Sequence, residues 1–444
     1  MNLAKEFASL ASVIGCVGLA SCASVPNDRG KVSEALELRT GHSLTNSKPG
    51  DAAVPADVSL QDGLNEEEAV ALALWNNAAF HETLTKLEFS RADLLQAGLL
   101  SNPTLSVLFP LGPKQLEFAA TFPLEAVWLR PRRMAIARLD AARVADSLIQ
   151  NGLDLVRDVR AGLSDLGLAM DKAGLGREAM SLRERIAQIT EARQRAGEGS
   201  ELETAAAQAE VVRARDEARR LEHDVTVARE RLLHLVGLNS AITNVIFSAS
   251  ATPPMSGTSV AELERRALAA RPDVRASELV LEAAALRAGL ARAEIFALSG
   301  IIDANASGKE GFEIGPGLQA PIPIFNQNQA GRARAAAEMD RAAWNCVATR
   351  RRVTLEVREA HTKYQQAAEA FQSWSTQLVP TLEELVRRSE KAYELGELSP
   401  LTVQENARQL LDARVRQAEL AADLRRSQAE LERSVGTRLP SDSK

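Results

Sequence analysis

The residues that could bind a metal ion or act in catalysis are few and widely spaced in this sequence. The five histidines, at His42, His81, His223, His234 and His361, show neither a His-x-His nor a His-Glu-x-x-His spacing. The three cysteines are too few and too far apart for a disulfide framework or a zinc site, and the six methionines do not cluster. Gly-rich phosphate loops and nucleophile motifs are also missing from the sequence. We therefore predict no enzymatic activity, no cofactor and no metal site.

One cysteine lies in a context that predicts a covalent modification. Residues 1–21 resemble a secretory signal peptide, because an apolar run follows Lys5 and ends in small residues. The run closes with Leu-Ala-Ser-Cys at Cys22. This resembles the bacterial lipoprotein box and implies that Cys22 is acylated, with palmitate among the attached chains. By the same resemblance, Ala23 implies delivery to the outer membrane, where several acyl chains would anchor the protein firmly. An ordinary signal peptide with an incidental cysteine is the alternative.

Composition and charge restrict the class of protein. With 444 residues and only 4% aromatic residues, the chain suits long, closely packed helices better than a thick globular core. Its net charge of −6 gives no reason to expect a nucleic-acid partner. The basic runs at 130–133 and 350–352 are interpreted as solvated helix-end faces. Beyond the leader no stretch approaches ~20 apolar residues, so no membrane-spanning helix is expected.

The elements that would position any site form a long internal duplication. Shifting the sequence by 199 residues places Glu191 on Glu390 and Gly197 on Gly396, without a gap over more than forty residues. In both copies an apolar helical stripe runs into a glycine turn and out again, which predicts two helical hairpins. The first limbs, from about Pro131 and from Gln329, would each be roughly 90–100 Å long.

The helical pattern also repeats upstream of each hairpin. Helices are predicted to begin at Asn65 and Ser259, and to break at Asn76-Asn77 and at Arg271-Pro272, which corresponds to an offset of 195 from Asn76 to Arg271. Within the first long limb, Gly174 and Gly176 predict a bend or break.

Each half contains a pair of short segments in which apolar and polar residues alternate. Such a pair is typical of a β-hairpin with one apolar and one polar face. Each strand spans about 9 residues, the length that crosses a bilayer when tilted. A soluble β-hairpin that caps the helices is the alternative. On the membrane interpretation, the positions predicted to face lipid are Leu116, Phe118, Phe122, Phe312 and Ile314.

Four strands are too few to close a barrel. Open sheet edges in lipid would leave backbone groups unpaired at a cost of several kcal/mol each. Other copies of the chain must therefore close the edges; two copies would give eight strands and three would give twelve, and strand counting alone does not choose between them.

Two sequence runs and the paired hairpins resemble the TolC-type outer membrane efflux protein family. The runs are Ala97–Pro103 (AGLLSNP) and Pro321–Gln329 (PIPIFNQNQ), and the second is most similar to the heavy-metal efflux branch. The resemblance covers nearly the whole mature chain. It implies a mainly α fold with a small β part: duplicated long helical hairpins and four β-strands per chain. In a homotrimer these would form an α-barrel tunnel and a 12-stranded β-barrel in outer membrane lipid.

The resemblance also implies partners. These are a periplasmic adaptor, or membrane fusion, protein and an inner-membrane pump of the resistance-nodulation-division type. The adaptor would meet the turns between the long helices, at Gly197, Ser200, Leu202, Gly396, Ser399 and Leu401.

The sequence departs from the family pattern at two places. Asn77-Ala78 stands where the family often has Asn-Pro. The acidic gate that some members carry after the second turn is only partly present, with Thr402 and Glu405 in the region. Glu405 is therefore a candidate gate residue, and a solvated helix residue is the alternative.

The predicted function is the outer membrane channel-tunnel component of a tripartite efflux system. It would conduct substrates passively to the outside, with heavy-metal ions as candidate cargo, while anchored in the outer membrane with its helical part in the periplasm. A lipid-anchored periplasmic adaptor and a coiled-coil scaffold protein are the alternatives. The predicted organisation is a lipoprotein signal peptide (1–21), a lipid-anchored tether (22–63), a first repeat (64–237) with its strand pair (103–123), a linker (238–258), a second repeat (259–437) with its strand pair (299–321) and a tail (438–444).

Overall fold

The computed structural model describes residues 28–439 except 46–47, 51, 57, 59, 61–62, 110–115, 239–256, 307–311 and 396. The described chain is mainly helical with one small sheet, as the sequence predicts. The signal peptide, Cys22 and most of the linker lie outside the described residues.

Strands and helical segments follow the same order in both halves, although the first half has an additional first helix and each half interrupts one helical segment that is continuous in the other. In the first half they are α1 (Asp28–Thr40), α2 (Glu66–Asn76), α3 (Ala78–Leu84), α4 (Lys86–Gly98), β1 (Thr104–Leu108), β2 (Leu116–Pro123), α5 (Glu125–Arg195) and α6 (Glu201–Val236). In the second half they are α7 (Val260–Ala270), α8 (Pro272–Ala293), β3 (Ser299–Ala306), β4 (Phe312–Gln319), α9 (Gln329–Ser373), a π-helical turn (Trp374–Leu378), α10 (Val379–Glu394) and α11 (Pro400–Val435).

The helices that open the two repeats begin at the predicted caps. The Asn65 side chain accepts a hydrogen bond from the Glu68 N–H at 2.9 Å, and the Glu68 carboxylate accepts from the Asn65 N–H at 2.8 Å. This reciprocal pair is a capping box and satisfies two N–H groups that the helix cannot. Ser259 caps α7 with one of these two bonds: its hydroxyl accepts from the Glu262 N–H at 3.4 Å.

The predicted helix breaks are confirmed, and a side chain at each break donates a hydrogen bond to a carbonyl near the end of a hairpin's returning helix. Asn77 Nδ2 donates to the Leu235 carbonyl at 2.8 Å, and an Arg271 guanidinium N–H donates to the Ser434 carbonyl at 3.2 Å. Asn77 and Arg271 are the C-caps of α2 and α7. The structural offset at the break is therefore 194 (77 to 271), one less than the offset predicted from Asn76.

The first long helix is continuous where a bend was predicted. Its 71 residues begin at Glu125 rather than Pro131 and run through Gly174 and Gly176. The helix does not break at these glycines, and Gly176 serves close packing: a Cβ there would lie 2.7 Å from Leu221 Cδ1.

The second long helix is interrupted by the π-helical turn. Pro380 follows within the first turn of α10. Proline lacks the N–H that would bond the carbonyl four residues earlier, and a wider turn accommodates that loss. Trp374, at the start of the turn, packs against the buried Val379, Leu410 and Ala413.

The four strands form one antiparallel meander in the order β1-β2-β3-β4. Strand β1 has five residues and each of the others has eight, fewer than the predicted nine. The middle pairing joins the two halves, with Leu116 opposite Ala306 and Pro123 opposite Ser299. Within this sheet β1 and β4 each pair on one side only.

The chain divides into two compact units. The sheet unit contains Leu84–Leu148 and Pro272–Arg350, and the helical unit contains Ser33–Thr83, Ile149–Arg271 and the chain from Arg351 onward. In the sheet unit, Asn328 Nδ2 at the start of α9 donates to the Ala291 carbonyl in α8 at 2.8 Å.

The predicted tether 22–63 contains an ordered helix that the sequence analysis missed. In α1, Val32 and Leu36 are fully buried. Leu36 packs against Gly152 of α5, where a Cβ would lie 2.6 Å from Leu36 Cδ2. The helix was missed because only these two apolar residues carry its four-residue spacing in a segment that otherwise reads as polar.

In the helical unit, a ladder of ion pairs joins α5 to α11. The two helices run antiparallel, since from Arg160 to Glu178 of α5 the α11 partner number falls from 432 to 414. The pairs are Arg157–Glu430, Arg160–Glu432, Asp165–Arg426, Lys172–Glu419 and Glu178–Arg414.

Candidate functional site

The register of the sheet separates an apolar face from a polar one. Directly opposed residues lie on the same face, and successive residues alternate between faces. One face carries two neighbouring rows across the four strands: Val107, Phe118, Ala304 and Ile314, and then Leu105, Ala120, Ile302 and Pro316.

The rows between them are mostly polar or small. They are Ser106, Ala119, Asp303 and Gly315, and then Leu108, Glu117, Asn305 and Glu313. Leu108 is the exception. The amphipathic strand pairs predicted from alternation are thus present as one amphipathic sheet.

The register assigns all five predicted lipid-facing positions, Leu116, Phe118, Phe122, Phe312 and Ile314, to the apolar face. Ile314 is 68% exposed, and Phe118 and Phe122 are half-buried. The side chains of Leu116 and Phe312 lie outside the described part of the chain. That these positions face lipid remains a prediction.

The first hairpin turn gathers three of the predicted adaptor-contact residues. Gly197 has φ +82°, the left-handed conformation that favours glycine. Ser200 caps α6 in a capping box with Glu203, and the Glu203 N–H donates to Ser200 Oγ at 3.1 Å. Leu202 is 79% exposed in the first turn of α6. The turn therefore presents an apolar side chain to solvent on a rigid, capped helix end.

The second hairpin turn repeats this geometry with one change. Ser399 Oγ caps α11 and accepts from the Thr402 N–H at 3.4 Å. Thr402 takes the place of the capping-box glutamate, and its hydroxyl lies 3.1 Å from Ser399 Oγ. Gly396 and the side chain of Leu401 lie outside the described residues. Adaptor contact at either turn remains a prediction.

The candidate gate residue is held by its own helix. The Glu405 carboxylate accepts from Arg408 Nε at 3.0 Å and from Gln409 Nε2 at 3.1 Å. Hydrogen bonds from Arg408 and Gln409 lower the pKa of Glu405 to about 2. An exposed carboxylate with both oxygens occupied in this way favours the solvated-residue alternative.

Over the described ranges, no three His, Cys, Asp or Glu side chains come together as they do around a metal ion. None of the helices in the described part of the chain combines the length and apolar character needed to cross a membrane.

Comparison with known proteins identifies the type of chain. Residues 263–437 match the family model described as Outer membrane efflux protein. Over this part the chain resembles the outer membrane efflux protein family. The family resemblance predicted from the sequence is thereby confirmed.

Similarity to curated relatives extends over most of this chain. The cobalt-zinc-cadmium resistance protein CzcC of Cupriavidus metallidurans is 24% identical over 387 residues, which cover 85% of this chain and 89% of CzcC. Nodulation protein T of Rhizobium leguminosarum bv. viciae is 25% identical over 403 residues, which cover 84% of this chain and 81% of that protein. The heavy-metal branch indicated by the Pro321–Gln329 run is supported by the similarity to CzcC.

The fold also matches a solved channel structure. CusC, whose crystal structures concern folding and transmembrane channel formation, superposes with a TM-score of 0.70 at 17% identity. The match covers 88% of this chain and 99% of the CusC chain. At this identity the likeness establishes the fold.

The Pro321–Gln329 run, which indicated the family resemblance, contains a hydrogen-bonded turn. Asn328 has φ 57°, and its N–H donates to Asn326 Oδ1 at 3.0 Å. The Gln327 N–H donates to Gln329 Oε1 at 3.0 Å. Glycine at position 331 leaves room for the Asn328 side chain, because a Cβ there would lie 2.2 Å from Asn328 Oδ1. The amide side chains thus turn the chain from β4 into α9.

Sequence reasoning missed a cluster of charges in the helical unit. Arg160 is 11% exposed and pairs with Glu66, Glu67 and Glu432. His42 Nε2 lies 2.9 Å from Glu67 Oε2. Although burial alone would raise it, the hydrogen bond from His42 and the nearby arginines lower the pKa of Glu67 to about 2. No local sequence signal could have found this cluster, because its members come from separate segments between positions 42 and 432 that only packing brings together.

Proposed function

We propose that this protein is the outer membrane channel-tunnel component of a tripartite efflux system, built from three copies of the chain. The observation that carries the proposal is a sheet with one apolar face and two edges that are unpaired among the described residues, at β1 and β4. In a bilayer, unpaired backbone groups cost several kcal/mol each, so a second copy must pair with each edge. Three copies would close a 12-stranded barrel with its apolar face toward lipid.

The repeated helices support the same ring. Helices α6 and α11 are counterparts in the duplication, and α11 packs on α10 as well as on the ladder of α5. The ion pairs of α6 with other helices, among the described residues, all go to α5. On the rest of α6, Val212 and Val227 are 66% and 48% exposed. We propose that α6 receives its missing neighbour from another copy.

The internal duplication supports α9 as that neighbour, because α9 is the counterpart of α5 in the second half. A shift of 198 residues places Val159-Arg160 on Val357-Arg358, and therefore Asp165 on Lys363. Asp165 binds α11, whereas Lys363 is exposed and has no ion pair within the described ranges. Lys363 lines a groove of about 440 Å³ between α9 and α11. The α6 helix of the next copy would cover this wall of the groove.

The remaining assignments rest on the family. We propose that Cys22 carries the lipid anchor in the outer membrane, and that the two hairpin turns meet a periplasmic adaptor linked to a resistance-nodulation-division pump. The exposed Leu202 and the two serine caps support a rigid contact surface at the turns. Because CzcC is named for cobalt, zinc and cadmium resistance, heavy-metal ions are the proposed cargo.

The mass of the extracted protein tests the proposal. We expect the full chain to require detergent for extraction and to have the mass of three copies in native mass spectrometry. A single-copy mass for protein that stays in solution without detergent would contradict the proposal.

The apolar face gives a second test, through Phe118→Lys. A lysine at mid-bilayer on the lipid side of a barrel costs about 2–4 kcal/mol, and each assembled ring would carry three. We expect the variant to be largely lost from the outer membrane fraction, measured by membrane fractionation and immunoblotting. Ala119→Lys, one residue along on the polar face, is the matched control and should assemble. Equal assembly of both variants would mean that Phe118 does not face lipid.

A further inference from the structure

The sheet unit contains a groove between the end of α8 and the start of α9. Its volume is about 460 Å³. Arg292 of α8 and Arg332 of α9 lie on its walls, with Gln329 at the first position of α9. The rest of its lining is apolar: Ala288, Ala333, Ala336 and Met339.

The two arginines differ from their neighbours in having no carboxylate partner. Arg287, one and a half turns before Arg292, is ion-paired with Asp140. Arg334, two residues after Arg332, lies 3.2 Å from Glu338. Within the described ranges neither groove arginine makes an ion pair, so both positive charges remain available to an anion.

A third helix brings more guanidinium groups to the same region. An Arg132 guanidinium N–H in α5 donates to the Gly289 carbonyl at 3.5 Å, next to the groove residue Ala288. Beside it, the Nε atoms of Arg130 and Arg133 are buried without a hydrogen-bond partner among the described residues. The basic run interpreted from the sequence as a solvated helix end is therefore partly buried.

The position of the groove along the chain indicates what the ligand is. Helix α5 begins at Glu125, directly after β2 ends at Pro123. Helix α8 ends at Ala293, shortly before β3 begins at Ser299. If the sheet crosses the outer membrane, which is the proposed function, these helix ends lie at the level of the lipid headgroups on the periplasmic side.

We propose that this groove binds the phosphate of an anionic glycerophospholipid in the periplasm-facing leaflet. Arg292 and Arg332 hold the phosphate, since guanidinium groups donate paired hydrogen bonds to phosphate oxygens. The N-terminus of the long α9 adds a favourable dipole. The alanines and Met339 contact the glycerol and the first acyl carbons. The inference rests on the membrane placement in the proposed function.

Native mass spectrometry of the full chain in detergent tests this site. Purified protein is titrated with phosphatidylglycerol, with phosphatidylcholine and with glycerol 3-phosphate. We expect phosphatidylglycerol to bind most tightly. The double variant Arg292→Gln/Arg332→Gln should bind it about thirtyfold more weakly, because each arginine near an anionic lipid contributes about a factor of five. Arg292→Lys/Arg332→Lys keeps the charge and should retain most of the affinity, which separates lost binding from misfolding.

Two matched controls remove an arginine without touching the groove. Arg334→Gln removes a paired arginine from the same helix, and Arg219→Gln removes an exposed one from α6. Both should bind phosphatidylglycerol like the unmodified protein. Undiminished binding by the double glutamine variant would overturn the lipid site, and so would equal affinity for free glycerol 3-phosphate. A three-copy mass without bound lipid would overturn the site and leave the proposed function standing, whereas a single-copy mass without detergent would overturn the proposed function.

Discussion

Replacing Gly237 with alanine is expected to lower the free energy of unfolding of the helical unit by about 4 kcal/mol or more, at the top of the range for single substitutions. Gly237 ends α6 with φ 76° and ψ 21°, and its N–H donates to the carbonyls of His234 and Leu233. A Cβ at this position would lie 2.3 Å from the Asn76 carbonyl oxygen and 2.4 Å from its carbon.

Two costs add at this position. A left-handed backbone conformation costs an L-residue about 1–2 kcal/mol relative to glycine. The clash is with main-chain atoms of the helix break at Asn76, so no side chain can rotate away to relieve it. The end of α6 or the break would have to shift, which would weaken the nearby hydrogen bond from Asn77 to the Leu235 carbonyl.

Guanidinium unfolding in detergent, followed by circular dichroism, would measure the loss. Gly50→Ala isolates the conformational cost, because Gly50 has φ +90° with nothing within 4 Å of a Cβ. Gly436→Ala is intermediate, since its Cβ would meet the flexible Cγ of Arg271 at 3.1 Å. Equal losses of unfolding free energy for Gly237→Ala and Gly50→Ala would show that the close approach to Asn76 does not contribute to the destabilisation.

Arg160→Met is expected to destabilise the helical unit by about 3–5 kcal/mol, the usual cost of removing one partner from a buried ion network. Arg160 is almost buried, and its Nε lies 2.9 Å from a Glu66 carboxylate oxygen. It also pairs with Glu67 and with Glu432. Without the arginine, the carboxylates of Glu66, Glu67 and Glu432 would lose their shared cation, and Glu432 is only 11% exposed.

The destabilisation caused by Arg160→Met should depend on pH in a definite direction. A depressed pKa in the folded state stabilises the protein above the unfolded value and loses that contribution as pH falls through the folded value. For Glu67 this window runs from the ordinary value of 4.5 down to about 2. In Arg160→Met the carboxylates lose a cation and protonate more readily. The destabilisation, measured as the shift in unfolding midpoint, should therefore be smaller at pH 4.5 than at pH 7.

The matched control is Arg213→Met. Arg213 also makes a short ion pair, 2.6 Å to Glu210, but it is 77% exposed. Exposed pairs contribute about 0–1 kcal/mol, so this variant should unfold close to the unmodified protein. A similar loss for Arg160→Met and Arg213→Met, or a larger Arg160→Met effect at low pH, would contradict the burial argument.

Local sequence signals predicted the features that depend on neighbouring residues. The helix start at Asn65, the helix break after Asn76 and the helix start at Ser259 each involve residues within four positions, and all three are present. The alternation in β2 and β4 likewise predicted which residues share a face, because alternation depends only on the extended backbone.

Features that depend on distant residues could not be predicted. The pairing of Leu116 with Ala306 sets how the two hairpins join, and it brings together residues 190 positions apart (306 minus 116). The role of Gly176 depends on Leu221 approaching it, and the burial of α1 depends on Gly152. For Gly176 and Gly152 the sequence shows only a glycine. The residue packed against each one shows that it allows a close contact between helices.

The meander has an even number of strands, so the chain enters and leaves the sheet at the same end. In the proposed orientation, the strand ends at Leu108, Leu116, Ala306 and Phe312 would face the cell surface. An antibody, a bacteriophage or a protease arriving from outside would first meet this end of the sheet. Changes that alter recognition by such agents should therefore accumulate there, while the long helices remain shielded from them.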